Sequence, residues 1–164
     1  MKKRLHALVL WTVWLASPPL PAQPSDASAH VYEGTQLRAL RVDPAWIAIF
    51  PVGASGSPLF RIDDPAQPAG LRSPVYREAD QAHSPARALP GGVIVALRSE
   101  DRAQPDRLFE ALGLRARRSI DPTTGRWLVD SAPGADALSL ARRLHESGRF
   151  ESVAPNWWRE RVRK

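Results

Sequence analysis

An α+β fold is predicted for this chain by three features of its second half. Val93-Ile94-Val95-Ala96-Leu97 is a β-branched run opened by Gly91-Gly92, the pattern of a strand leaving a turn. Two segments further on repeat apolar residues at helical spacing, and each is closed by a glycine, Gly113 and Gly148. Strand-like pieces separate and follow them, which gives the order β-α-β-β-α-β between Gly91 and Trp158.

The elements before that unit read differently. Lys2, Lys3 and Arg4 form a basic start and Ala7 to Ala16 (ALVLWTVWLA) an apolar stretch, the pattern of an export signal, with cleavage expected after Ala22. That stretch is well short of the about 20 residues that span a bilayer, so no stable membrane insertion is expected. Residues 23–30 read as a polar, mobile linker. Between Val31 and Phe50, aromatic and β-branched residues predict two short strands on either side of an Asp43-Pro44 turn. From Pro51 to Pro90 prolines recur at 51, 58, 65, 68, 74, 85 and 90. Proline removes a ladder donor wherever it falls, so most of this stretch is expected to be irregular, with extended pieces only near Leu59 to Ile62 and Pro74 to Arg77.

The second half is justified element by element. Pro105 suits a first helical position, Asp106 complements the helix N-terminus, and Leu108, Phe109 and Leu112 share a face. Leu114 to Ile120 reads as a strand, and Asp121-Pro122-Thr123-Thr124-Gly125 turns it into a hairpin partner, Arg126 to Asp130. Asp136 is the expected N-cap of the second helix, whose stripe is Ala137, Leu140, Ala141 and Leu144. Arg149 to Val153 closes the unit. The order is that of a ferredoxin-like βαββαβ antiparallel sheet with two helices on one face, preceded by an irregular Pro-rich N-terminal region. The expected divisions are residues 1–22 (signal), 23–89 (linker and Pro-rich leader), 90–158 (the ferredoxin-like unit) and 159–164 (a basic tail). The sheet face away from the helices is expected to be open for docking.

Charge and composition exclude several classes. The formal net charge is +6, but Lys2, Lys3 and Arg4 lie in the signal, and Arg159, Arg161, Arg163 and Lys164 crowd the end beside Glu160. The body between balances acid and base, so the broad basic face of a nucleic-acid binder is not expected. With no cysteine there is no disulfide and no thiolate chemistry. His6, His30, His83 and His145 sit apart, without the nucleophile and orienting carboxylate that hydrolytic catalysis needs, so no enzyme activity is expected. His145 is expected to favour the C-terminal end of its helix. Asp63-Asp64 and Glu100-Asp101 read as turn residues, and Gly53-Ala54-Ser55-Gly56 lacks a P-loop lysine. No metal and no cofactor is expected.

Several phrases, in their order and spacing, resemble the N-terminal prodomain of subtilisin-like serine proteases, more closely the fervidolysin-like group. They are Ser73-Pro74-Val75-Tyr76, Pro90 to Val95 (PGGVIV), Leu108 to Arg118 (LFEALGLRARR), Gly125 to Val129 (GRWLV), Gly134 to Leu144 (GADALSLARRL) and Phe150 to Trp157 (FESVAPNW). The resemblance implies a secreted or periplasmic, non-catalytic domain, monomeric when unbound, that inhibits or helps to fold a subtilisin-like protease. It also implies Pro155, Asn156, Trp157 and Trp158 as the protease-binding exit, with Trp157 and Trp158 equally suited to covering a sheet edge. No catalytic domain follows within the 164 residues. The protease is therefore expected to be encoded separately or lost, the latter making the chain a remnant of a precursor. The alternatives from other classes are a ferredoxin-like nucleic-acid-binding module and a membrane-surface module held by the Trp/Arg tail.

Overall fold

The computed structural model describes residues 28–51, 57–81 and 83–161. The export signal, its cleavage site and the glycines at 53 and 56 lie outside these residues. The described chain is mixed α+β, with two α-helices and two antiparallel sheets.

The first sheet is built from the half of the chain that composition made look irregular. Strands β1 (Ser28–Glu33) and β2 (Gln36–Phe50) form a hairpin turned at Gly34-Thr35. Strands β3 (Leu59–Arg61), β4 (Leu71–Glu78) and β5 (Arg87–Ala88) add to it. Their order is β1-β2-β4-β5, with β3 pairing β2 and a last short strand, β10 (Trp158–Arg159), on the far edge. Two sequence expectations are corrected here. Residues 28–30 begin a strand rather than belonging to the linker, and Asp43-Pro44 lies within one long strand rather than between two short ones; in the Pro-rich stretch the expected extended pieces fall on β3 and β4, which pair into the sheet.

The reason lies in where the prolines fall. Asp43-Pro44 is not a turn between two strands but a bulge inside one strand of 15 residues: the β2–β4 register shifts between Val42 and Ile47. Pro74 on β4 is paired with Ile47, at the margin of the same irregularity. Both missing donors thus gather at one interruption of the ladder, where an unpaired backbone position costs least. The bulge is braced by Asp43, which accepts hydrogen bonds from the Ala45 amide (3.1 Å) and from Arg77 Nε (2.7 Å). Arg77 also donates to the Ser84 carbonyl, and the Ser84 hydroxyl accepts from the Glu78 amide (2.7 and 2.8 Å). Burial pushes the Asp43 carboxyl up, but the Arg77 hydrogen bond, the Ala45 amide and the charges of Arg77 and Arg41 outweigh it and leave the pKa lowered.

The second sheet follows the sequence except at its closing strand, which spans Ser152–Pro155 rather than Arg149 to Val153, so that Pro155 ends the strand instead of following it. Its strands are β6 (Val93–Ala96), β7 (Ala116–Asp121), β8 (Arg126–Val129) and β9 (Ser152–Pro155), in the order β7-β8-β6-β9. Helices α1 (Pro105–Ala111) and α2 (Ala135–Glu146) connect them. Val93, Val95 and Val129 pack with Leu108, Phe109, Ala141, Leu144 and Phe150, and Trp127 meets Phe109 edge-on at 5.5 Å.

Helix α2 differs from its expected form at two points. Its N-cap is Gly134 at φ +69°, with no side-chain cap, and Asp136 lies inside the first turn. A Cβ at Gly134 would stand 2.9 Å from Cδ of Pro74, so a glycine is what lets the helix start against the first sheet. The helix also buries two faces rather than one stripe. Ala141 and Leu144 enter the core of the second sheet, whereas Ala137 and Leu138 pack with Val31, Leu40, Tyr76 and Leu89 of the first. Leu140, expected at the centre of the stripe, is half-buried. The helix therefore joins the two sheets, and His145 near its end also stacks on Tyr32 of β1, ring centroids 4.0 Å apart.

Two tests follow from this packing. Leu138→Ala empties a site shared by α2 and the first sheet and is expected to cost about 3 kcal/mol, read from urea unfolding. A cost near that of an exposed leucine would show that α2 does not bind the two sheets together. Because the folded pKa of Asp43 is lowered, its contribution is present above the free carboxyl's 3.8 and lost as pH falls through the folded value. Asp43→Asn should remove that part of the acid-side loss of stability, and an unchanged slope of stability against pH there would contradict the role of the Asp43–Arg77 pair.

Candidate functional site

The expected exit residues lie where the chain passes between its two sheets. It crosses first from β5 to β6 through Leu89-Pro90-Gly91-Gly92, and crosses back from β9 to β10 through Asn156-Trp157. Because β9 pairs β6 and β10 pairs β5, the two crossings run side by side. Asn156 ties them together: its amide donates to the Gly92 carbonyl (3.2 Å) and its side-chain Nδ2 to the Gly91 carbonyl (3.0 Å).

The first crossing is tight enough to demand its glycines. Gly91 has φ +100°, and a Cβ there would lie 2.7 Å from the Ser131 carbonyl oxygen. The Gly92 amide donates to Ser131 Oγ at 2.8 Å. Leu89 is fixed on both sides, its amide donating to Ser73 Oγ (3.0 Å) and its carbonyl accepting from Gly134 (3.1 Å).

The four expected residues come together at this junction. Pro155 is buried, paired with Val93 at the end of β9. Trp157 is half-buried and meets Tyr76 edge-on at 5.9 Å, packed against the cluster that α2 shares with the first sheet. Trp158 lies against the other face, with Ala48, Val75, Ala86 and Ala88. Beyond it, Glu160 makes two bonds to one residue: its amide donates to the Ala86 carbonyl (2.9 Å), and its Oε2 accepts from the Ala86 amide (3.1 Å). Trp158 thus belongs to the edge strand itself, whereas Trp157 packs toward the cluster shared with α2.

The second sheet also presents a face away from the helices. Ile94, Leu128 and Ala154 form one row across the three strands β6, β8 and β9, and Arg118 extends it on β7. The adjoining row is Ala96, Arg126 and Ser152. None of these residues belongs to the helix-side core. Ala154, Ser152, Arg118 and Arg126 are exposed, Ile94 is half-buried, and Leu128 is covered beside Gly92. This is a short apolar strip edged by two arginines.

The remaining polar residues singled out by sequence are dispersed. Asp64 Oδ1 accepts from the Ala66 amide at 2.8 Å, Asp63 pairs with Arg61, and Glu100 takes the Ser99 hydroxyl. His83 is exposed, and His30 and His145 lie on β1 and α2. Among the described residues no group of three or more His, Asp or Glu is placed to hold a metal ion, and no helix is long and apolar enough to cross a membrane. Sequence reasoning missed Gly91, Ser131, Tyr76 and Glu160 as parts of the junction. An asparagine directly after a strand-ending proline, matched to a Gly-Gly opening, was the available signal. Comparison with protein-family models, curated proteins and solved structures finds no match.

Ending the chain after Pro155 removes Asn156, both tryptophans and Glu160. It is expected to destabilise the fold by at least about 3 kcal/mol, measured by denaturant unfolding. An unchanged midpoint would mean that the exit segment is an appendage.

Proposed function

We propose that this chain is an exported, non-catalytic domain of the subtilase-prodomain kind, which binds and inhibits, or helps to fold, a subtilisin-like serine protease. The observation that carries the reading is the unpartnered face of the second sheet. Its row of Ile94, Leu128 and Ala154, of which Ile94 and Ala154 reach the surface, is edged by Arg118 and Arg126 and composed of strand residues. Strands of a regular sheet offer a rigid docking surface that needs little ordering on binding.

Two further features support it. The order β7-β8-β6-β9 with its two helical connections agrees with a ferredoxin-like unit for residues 90–158, as the resemblance of the sequence phrases implies. The exit segment is also held by specific contacts on the first sheet. In this proposal Pro155, Asn156, Trp157 and Trp158 remain on the domain as the anchor, and the chain following Glu160 is the extended peptide offered to the protease cleft. Sheet and peptide then act as linked sites, so that docking of one raises the effective concentration of the other.

The test is inhibition of a panel of secreted subtilases by the chain from residue 23 onward. Potent inhibition of at least one member is expected. Ile94→Arg with Ala154→Arg should weaken it by about 100-fold while the circular dichroism spectrum is kept. Inhibition of no member, or inhibition indifferent to the two arginines, would overturn the proposal.

A further inference from the structure

A cleft of about 300 Å³ opens between the first sheet and α2. Its walls are apolar at Val42, Pro74 and Leu138, and four polar side chains reach it: Tyr76, His30, Ser139 and Arg142. Several arginines elsewhere are paired. Arg77, Arg87, Arg102 and Arg117 each hold a carboxylate. The four at the cleft make no hydrogen bond or ion pair among the described residues.

Tyr76 is the informative member. It is only 2% exposed and makes no hydrogen bond among the described residues, but its hydroxyl is not sealed off, so it is open to whatever fills the cleft. Beside it the first turn of α2 contributes Ala135 to the wall, and the Gly134 N-cap supplies no side chain to occupy the turn's amides.

We infer that this cleft is a binding site for a small carboxylate with an apolar tail, the head taken by Tyr76, Ser139 and Arg142 and the tail by Val42, Pro74 and Leu138. Arg142 supplies the charge, the two hydroxyls are donors, and His30 closes the rim. Burial raises the Tyr76 phenol to about 12, so the hydroxyl keeps its proton and remains a donor across the physiological range. A cavity of about 150 Å³ takes a benzene-sized molecule, so this cleft suits a tail of about eight carbons. The site does not depend on the protease reading: it lies on other residues and calls for another class of ligand. It does share Tyr76 with the Trp157 anchor, so an occupant would sit against the residue on which the exit segment rests.

The experiment is calorimetric titration, with backbone NMR, of the chain from residue 23 using octanoate, 1-octanol and acetate. Octanoate is expected to bind saturably at one site and to shift the resonances of residues 135–142 and of Tyr76. Octanol, which lacks the charge, and acetate, which lacks the tail, should each bind at least about tenfold more weakly. Arg142→Gln, on the exposed face of α2, should weaken octanoate by about tenfold, and Tyr76→Phe, which keeps the ring against Trp157, by about fivefold. If Tyr76→Phe fails to fold, Ser139→Ala takes its place, with a weakening of about threefold expected. No saturable binding of octanoate, octanol binding as well as octanoate, or indifference to Arg142→Gln would each overturn the site.

Discussion

The fold depends on one close approach: the two places where the chain passes from sheet to sheet lie against each other. Gly91 and Gly92 allow the first crossing to run under Ser131, and Asn156 then fastens the second crossing to their carbonyls. A hydrogen bond of this kind contributes only about 1 kcal/mol, but here it sets geometry. Moving either crossing would shift β6 against β9 and β5 against β10 at the same time, since each crossing feeds one strand of both pairs. Helix α2 reinforces the arrangement from above, with Leu138 on one sheet and Leu144 on the other.

Seen from this junction, the sheets have different work. The second carries the regular helix-backed core, and on its other face Ile94 and Ala154 stand beside exposed Arg118 and Arg126. The first has cores on both faces, one against α2 and one under Trp46, Phe50 and Trp158. Its ion pairs are also more sheltered: Arg87 stands between Glu33 and Glu78 with little exposure, joining β1, β4 and β5. A sheet tied in this way holds the exit segment rigidly, so the direction in which the chain leaves is a property of the fold.

The legible part of the sequence was the part with a period. Val93 to Leu97, the Leu108-Phe109 face and the Ala141-Leu144 stripe each repeat at the spacing of their element, and local spacing is all a single sequence displays. In the Pro-rich half the extended pieces near Leu59 and Pro74 were legible, but their pairing into one sheet was not, because two of its prolines act together. Pro44 and Pro74 are separated along the chain but share one bulge, so counting them singly overstated the damage to the ladder. Leu138 was missed for the same kind of reason. It lies off the main stripe and is buried by a sheet whose existence the prolines hid. Residues 155–158 stood out by their local sequence, but the anchorage of this segment on Ala86 and Tyr76 is a long-range contact that no local pattern encodes.

The bond between Ala86 and Glu160 joins positions 74 residues apart, and the strand it secures holds only two residue pairs. During synthesis β1 to β5 can assemble as they emerge, but the edge at β5 must wait, bare, until the whole helix-backed unit has been made. Contacts of such sequence separation are slow to form, and an uncovered edge is a template for pairing with another chain. Pairing of β10 with β5 covers that edge, so this side of the first sheet stays open to another chain until Trp158 and Arg159 have been made and have docked.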